Sequence, residues 1–241
     1  NFQKTLSNTN VEQVIYLSGI VNESNLSKHL SSRKTVEDEL SKGSYHLTTF
    51  RAGIIVGSGS ASFEIMRDLV EKLPVMITPK WLLTKCQPIG ISDVQSFLIE
   101  CIHQKSTYDK NFDIGSKDIL SYKEMLLEFA NIRNLKRKIW TVPIMTPKLS
   151  SYWLYFVTST SYKLAKSLVD SMKVEVICRD DEANKLLGIE PITYKEALSR
   201  AFENIKNNDI DLKKTKILKY FDFTKCVYFI DCISKIKVSF Y

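Results

Sequence analysis

Apolar and polar positions along the chain fall into short apolar runs separated by amphipathic stretches. A nearly continuous apolar run predicts a buried strand over residues 14–17, and a helix follows from about residue 26 to residue 40. A second strand over residues 45–51 leads through a loop rich in glycine and serine into a helix over residues 63–73. This order of strand, helix, strand and helix predicts right-handed crossovers and a doubly wound α/β sheet.

The later segments continue the same plan with shorter elements. We predict strands over residues 75–77, 85–90, 112–114 and 139–142, a helix capped by Ser92 or Asp93, and a helix that starts at the cap Ser121 and ends near residue 132. Over residues 175–205 we predict a strand, an acidic turn, a short helix and a final helix. The last thirty or so residues are compatible with a terminal strand pair and equally with an aberrant C-terminus.

Composition and charge exclude little. With 241 residues, 44% hydrophobic and 25% charged, the chain is typical of a soluble globular protein of one large domain or two small ones. A net charge of +7 permits binding to nucleic acid or anionic lipid. The charges are mostly interspersed, and we interpret the one dense basic cluster, residues 133–138, as a solvated helix end and loop. We therefore expect no nucleic-acid partner.

The cysteines and the apolar runs bear on compartment. The five cysteines are scattered without a CxxC pair, so we expect no metal site and a reduced, cytoplasmic location. No apolar run approaches the roughly 20 residues that span a bilayer, and we expect no stable membrane insertion. The aromatic segment at residues 152–156 fits packing over a ligand cleft, with an interfacial membrane helix as the alternative. Because the first residue is Asn, we also expect an N-terminal portion upstream.

Three side chains near the first strand are candidates for chemistry. Ser18 ends the strand, and His29 and Arg33 are spaced i and i+4, which puts them on one helical face. A histidine with a reference pKa near 6.5 can exchange protons at neutrality, whereas a nearby arginine favours the neutral imidazole and suits a ribose hydroxyl or a phosphate. Alternatively, Arg33 pairs with Glu37 on a wet surface and His29 lines the start of the helix.

The chain also resembles a known family. The segments that carry the resemblance are "VIYLSG", "LSKHLSSRKTVEDEL", "TTFRAGIIVGSGSASFEIMRDLVEKLPVMITPKW", "QPIGISDV", "FDIGSKDILSYKEML" and "TPKLSSYW". They are similar, in this order, to the atypical short-chain dehydrogenase/reductase family, in particular its YbjT-like NAD(P)H-binding group. That group is related to nucleoside-sugar epimerases and to the NAD(P)H-binding accessory subunit of respiratory complex I. The similarity runs from residue 1 to about residue 207.

The resemblance implies an architecture. It implies the C-terminal part of a doubly wound, Rossmann-like parallel sheet over residues 1–110, a smaller α/β substrate-side region over residues 111–207 and a divergent tail over residues 208–241. The family's glycine-rich turn of GxxGxxG type, which holds the cofactor pyrophosphate, does not occur in this sequence. We therefore expect a fragment that binds dinucleotide poorly by itself, with an exposed apolar edge on the strand at residues 14–17.

The resemblance also implies a function, an NAD(P)-binding, epimerase-like oxidoreductase that moves a hydride to or from a small carbonyl, alcohol or quinone. A non-catalytic NAD(P)H-binding structural or redox-sensing module is the alternative. Catalytic candidates are Ser18, His29 and Arg33, where the superfamily has Ser or Thr, Tyr and Lys. The NAD or NADP contacts would be Ser18, Gly19, Arg33, Arg51, Ala52 and Gly53, and the substrate contacts Ser60, Phe63 and Gln87. The substrate and the oligomeric state stay open.

Overall fold

A computed structural model describes residues 2–20, 28–142, 172–207 and 227–231 of the chain. The helices are α1 (Phe2–Ser7), α2 (Lys28–Leu40), α3 (Ala61–Lys72), α4 (Ile91–Glu100), α5 (Tyr122–Ile132), α6 (Glu182–Leu187) and α7 (Tyr194–Lys206). The strands are β1 (Gln13–Gly19), β2 (His46–Ala52), β3 (Ile55–Val56), β4 (Val75–Pro79), β5 (Lys85–Cys86), β6 (Ile89–Gly90), β7 (Lys110–Ile114), β8 (Leu120–Ser121), β9 (Lys138–Val142) and β10 (Val227–Asp231). Short 3-10 helices occupy Lys80–Leu83 and Lys105–Thr107.

The main sheet is parallel throughout, with strand order β10-β1-β2-β7. In its register Gly19 of β1 lies beside Ala52 of β2, and Ala52 lies beside Ile114 of β7. Consequently three strands end level with one another at the same edge. Open α/β sheets bind ligands at this edge, beyond the carboxyl ends of the strands.

Helices cover both faces of this sheet, because both faces of its strands are apolar. On one face, Val14 and Tyr16 of β1 pack with Leu40 of α2 and Leu47 of β2. The opposite face is covered by α4 and α6 through a second cluster, which contains Ile15, Leu17, Phe50, Phe97, Phe112 and Ala183. This arrangement confirms the predicted doubly wound α/β class.

A third core lies among α3, α5 and α7. Phe63 of α3, Phe129 of α5 and Phe202 of α7 pack ring against ring, with centroids 5.0 to 5.5 Å apart. Capping boxes start two of these helices, one formed by Ser121 with Glu124 and the other by Thr193 with Glu196. The predicted cap at Ser121 is therefore confirmed.

Two local predictions are wrong, one at Pro88 and one at Gly90. The expected strand over residues 85–90 is split into β5 and β6 by Gln87 and Pro88, since Pro88 has no N–H to give to a ladder. Helix α4 has Gly90 at its N-cap, not Ser92 or Asp93. Asp93 lies in the first turn instead, where its carboxylate accepts a hydrogen bond from the backbone N–H of Ile192.

The C-terminal expectations have mixed outcomes. The segment expected as a strand near residue 174 makes only an isolated bridge between Val176 and Cys86. In the tail, β10 pairs in parallel with residues Gln13 to Leu17 of β1, so the expectation of an exposed apolar edge on β1 is wrong. The domain division stays a prediction, although β7 spans its first boundary and pairs with β2. The aromatic segment at residues 152–156 lies outside the described residues.

Candidate functional site

The candidate site lies at the carboxyl ends of β1 and β2, on the face that α2 covers. Ser18 is completely buried there, and its Oγ has no hydrogen-bond partner among the described residues. Thr49 of β2 is also completely buried, and its Oγ1 likewise has no hydrogen-bond partner among the described residues. A buried hydroxyl without a partner costs about 1–3 kcal/mol, so such groups are rare outside functional sites.

Helix α2 brings two further candidates over this face. Its last residue, Leu40, packs with Val14 near the amino end of β1, so its first turns lie towards the carboxyl end. The hydroxyl of Tyr16 donates a hydrogen bond of 3.4 Å to the backbone carbonyl of Arg33, which fixes that part of α2 above β1. His29 belongs to the first turn of α2, but its side chain lies outside the described residues.

Arg51 holds α2 against the sheet. Its Nε and Nη2 donate to the two carboxylate oxygens of Glu37 at 3.2 and 2.5 Å, a bidentate ion pair whose side chains are 12% and 7% exposed. From the sequence we expected Arg51 to contact the cofactor and, in the alternative interpretation, Arg33 to form an ion pair with Glu37. In the structure the carboxylate of Glu37 accepts from Arg51, so we assign Arg51 to positioning α2.

The side chain of Gln87 lies at the carboxyl edge of the sheet and forms hydrogen bonds with two separate segments. Its Nε2 donates to the carbonyl of Ser116 at 2.7 Å, and its Oε1 accepts from the backbone N–H of Cys178 at 2.9 Å. The carbonyl of Gln87 also comes so close to Gly53 that a Cβ there would lie 2.7 Å from it. Gly53 is therefore required for backbone packing. The amide of Gln87, expected on the substrate side, is engaged in structural hydrogen bonds.

The ion pair of Asp113 and Arg179 beside β7 was missed by sequence reasoning. Asp113 is buried, and its carboxylate accepts from Nε and Nη2 of Arg179 at 2.7 Å each and from the backbone N–H of Arg179 at 3.1 Å. An acidic residue inside the apolar run "NFDIG" was the available signal, because a buried carboxylate needs a partner. The pair anchors the segment that carries Cys178 to the end of β7.

Cys178 is a poor nucleophile in this setting. Burial raises the pKa of its thiol to about 12, and the carboxylates of Asp113 and Asp180 add to the effect. Cys178 is therefore protonated at neutral pH, and a protonated thiol is unreactive because the thiolate is the nucleophilic form. Its Sγ is packed so tightly against Gly115 that a Cβ on Gly115 would lie 2.8 Å away. We infer that the thiol fills space at the edge of the sheet.

The remaining substrate candidates, Ser60 and Phe63, lie at the start of α3. Ser60 caps this helix, accepting from the N–H of Phe63 at 3.3 Å and donating to the carbonyl of Ile55 at 3.1 Å. Phe63 has no exposed surface and belongs to the core among α3, α5 and α7. The expectation that Phe63 contacts substrate is therefore wrong, because an apolar residue on the inner face of an amphipathic helix packs into the core.

Metal sites and membrane-spanning helices are both absent from the described ranges. Within the described ranges, His, Cys, Asp and Glu side chains form no group of three or more that could hold a metal ion. No helix in these ranges combines the length and the apolar character needed to cross a membrane.

Comparison with known proteins shows which fold the chain has. No family model and no curated protein matches the sequence. Among solved structures, an NADPH-dependent quinone oxidoreductase from Escherichia coli is similar with a TM-score of 0.65 and 14% identity, covering 83% of this chain and 70% of that one. A nucleoside-diphosphate-sugar epimerase from Staphylococcus aureus has a TM-score of 0.63 and 13% identity, with 82% and 68% covered. The fold is Rossmann-like.

A third similar structure adds to this comparison. Triphenylmethane reductase from a Citrobacter species has a TM-score of 0.64 and 14% identity, with 83% of this chain and 68% of that chain covered. The quinone oxidoreductase has been solved with NADPH and the triphenylmethane reductase with NADP(H). At these identities the similarity shows the fold of the chain, while function has to be argued from its own residues.

Proposed function

We propose that this chain is an NAD(P)-binding, epimerase-like oxidoreductase of the atypical short-chain dehydrogenase/reductase type, in the YbjT-like group. Its substrate would be a small carbonyl, alcohol or quinone. The observation that carries the proposal is the buried Ser18 hydroxyl, which has no partner among the described residues and lies at the carboxyl edge of a parallel sheet. Substrate or cofactor is the natural partner of a hydroxyl at that edge.

The residues at this edge fit one end of a nicotinamide dinucleotide. Gly19 and Ala52 lie side by side there and have no bulky side chain, and Ser18 has a hydroxyl without a partner among the described residues. Bound NAD(P) would supply hydride transfer at its nicotinamide ring. We assign Ser18, Gly19, Ala52 and Gly53 to the nicotinamide and ribose end. The sequence has no GxxGxxG turn for the pyrophosphate, so we expect weak affinity for the dinucleotide.

Arg33 and His29 of α2 would have different roles. The guanidinium of Arg33 is permanently cationic and would donate hydrogen bonds to a ribose hydroxyl or a phosphate. The imidazole of His29, one helical turn earlier, would hold or release a proton at the substrate oxygen near neutral pH. The ion pair between Arg51 and Glu37 would keep both residues over the cleft by fixing α2 on the sheet. Ser60 and Gln87 would shape the substrate side through their structural hydrogen bonds.

Binding at this edge can be tested with ligands that represent each end of the cofactor. Saturation-transfer NMR with the whole chain should show transfer to the nicotinamide protons of NADPH and of reduced nicotinamide mononucleotide, and less to ADP. Ser18→Ala should weaken binding of the mononucleotide roughly fivefold, because it removes one hydrogen bond. The matched control is Ser96→Ala, which changes an exposed serine on α4. No transfer to nicotinamide protons, or equal binding by both variants, would refute the proposed site.

Catalysis requires a separate measurement. Oxidation of NADPH by a simple benzoquinone and by a small aldehyde should occur with the unmodified chain. His29→Ala should abolish it while leaving binding of the reduced mononucleotide intact. If the chain binds NADPH but neither compound nor any other acceptor tested oxidises it, a non-catalytic binding module is the better account.

A further inference from the structure

The two-stranded ladder of β4 and β9 exposes an apolar face. Its register sets Val75 beside Lys138 and Ile77 beside Trp140, so these four side chains share one face. Trp140 is 59% exposed, Ile77 53% and Val75 45%. We call these four residues the β4–β9 face. Large apolar side chains that are exposed singly are ordinary, whereas three on one flat face mark an interaction surface.

The opposite side of the same ladder holds this face in place. Met76 of β4 and Ile139 of β9 are buried in the core among α3, α5 and α7. Thr78 adds a hydrogen bond of 3.3 Å from its Oγ1 to the carbonyl of Trp140. Because alternate residues of a strand point to opposite sides, burial of Met76 and Ile139 fixes the outward direction of Ile77 and Trp140.

Positive charge borders the β4–β9 face. Lys138 lies on it, and exposed Lys80 and Lys136 flank the ladder in sequence. Arg137 anchors the approach to β9, since its guanidinium donates to the backbone carbonyls of Val70 and Glu71 at the end of α3.

Carboxylates do not cancel this charge through ion pairs among the described residues. The carboxylate of Glu71 pairs with Arg133 at 3.2 Å. No described carboxylate forms an ion pair with Lys80, Lys136 or Lys138. The surface is thus apolar at its centre and cationic at its border.

We propose that the β4–β9 face docks the protein on an anionic lipid surface. Trp140 would lie at the level of the headgroups, where amphipathic aromatic rings are favoured, and Ile77 and Val75 would enter the apolar boundary. The lysines would lie against the lipid phosphates and carboxylates. The association is peripheral, which agrees with the finding that no described helix could span a bilayer.

Two other occupants fit this face less well. A symmetric contact between two copies would bring the same patch of both chains together, so that both copies would contribute lysines to one interface. A nucleic acid would gain stacking on Trp140 alone, because aliphatic Ile77 and Val75 offer no flat ring to a base. An anionic bilayer satisfies both the apolar centre and the cationic border.

Vesicle binding tests the proposal directly. The whole chain should co-sediment with vesicles of phosphatidylcholine and phosphatidylserine, should bind vesicles of phosphatidylcholine alone far less, and should dissociate as salt is raised. Lys138→Glu should weaken binding roughly 25-fold, since each basic residue near an anionic surface contributes roughly fivefold and the change reverses a charge. Lys105→Glu, at another exposed lysine, should have a much smaller effect.

The apolar part of the face is tested with Trp140→Ser and Ile77→Ser. Each should weaken binding several-fold, whereas Ile119→Ser, at an aliphatic residue that is 47% exposed elsewhere, should leave it unchanged. Thermal unfolding checks that the variants fold. Quenching by iodide should fall in Trp140→Ser, because an exposed indole is lost from the three tryptophans of the chain.

Five results would overturn the proposal. Three concern lipid and exposure: equal binding to neutral vesicles, binding that Trp140→Ser and Ile77→Ser leave intact, and iodide quenching that Trp140→Ser does not change. The fourth is a dimer in sedimentation velocity that Trp140→Ser dissociates, which would assign the face to a second copy. The fifth is binding to a single-stranded RNA homopolymer in place of vesicles, which would assign the face to nucleic acid.

Discussion

The carboxyl edge of the main sheet and the core among α3, α5 and α7 treat buried polar groups differently. In the core, the hydroxyl of Tyr194 is fully buried and donates to the carbonyl of Met125 at 3.2 Å. Ser18 at the edge and Thr49 in the middle of β2 are equally buried, yet neither side-chain oxygen has a partner among the described residues. The hydroxyl of Tyr194 is therefore satisfied without a ligand, whereas that of Ser18 has hydrogen-bonding capacity left for one.

This difference indicates where stability and function reside. Three phenylalanine rings and two capping boxes supply favourable packing and satisfied backbone groups around α3, α5 and α7. At the edge, unpaired hydroxyls reduce stability by about 1–3 kcal/mol each. Proteins commonly accept such a cost at binding sites. Substitutions should accordingly have opposite consequences in the two regions.

The largest loss of stability should come from removing a large side chain from the core. Phe63→Ala should lower the free energy of unfolding by about 3–5 kcal/mol, because it removes a fully buried ring and leaves a cavity. Urea denaturation measures this, and Leu127→Ala on α5, which is 37% exposed, is the control with a smaller loss. A loss below about 1 kcal/mol in Phe63→Ala would mean that the core is not the stable region.

The next effect tests the ion pair that joins α2 to the sheet. Glu37→Gln should lower the free energy of unfolding by about 2 kcal/mol, because the buried guanidinium of Arg51 loses its charged partner. Glu39→Gln is the matched control on the same helix, since Glu39 forms an exposed ion pair with Lys42 and should show no measurable change. Equal effects at both positions would contradict the assignment of Arg51 to positioning α2.

The smallest effect compares two serines directly. Ser121→Ala should lower the free energy of unfolding by about 1 kcal/mol, because it removes the cap of α5. Ser18→Ala should cause no loss or a slight gain, because its hydroxyl makes no hydrogen bond within the described ranges. Thermal unfolding of both variants in the same buffer provides the measurement. If Ser18→Ala is as destabilising as Ser121→Ala, the hydroxyl has a structural partner and the argument for a ligand fails.

Sequence reasoning located the elements with strong local signals. The apolar run that forms β1, the strand β2, and helices α3 and α5 were predicted close to their observed bounds. Segments without such signals were predicted less well. The stretch around Gln87 is held by its side-chain amide, and the segment at Cys178 and Arg179 is held by Gln87 and Asp113. Long-range side-chain contacts of this kind leave no periodic trace in the sequence.

The candidate site was predictable only in part. A hydroxyl at the end of a buried strand and two polar residues one helical turn apart could be seen in the sequence, and the resemblance gave them roles. The partner of Glu37 could not be seen, because Arg33 at i−4 is near in sequence whereas Arg51 comes near only once β2 is paired with β1. The burial of Phe63 likewise depends on α5 and α7 packing against α3.

The sequence by itself determined the α/β class, the parallel character of the main sheet and the start of α5 at Ser121, because periodicity and capping act over a few residues. Tertiary structure decided which groups lie together. It paired β10 with β1, brought Gln87 and Cys178 to one edge and set Ile77 beside Trp140 on an exposed face. Register and packing between distant segments depend on the simultaneous burial of many side chains, and no single stretch of sequence contains that information.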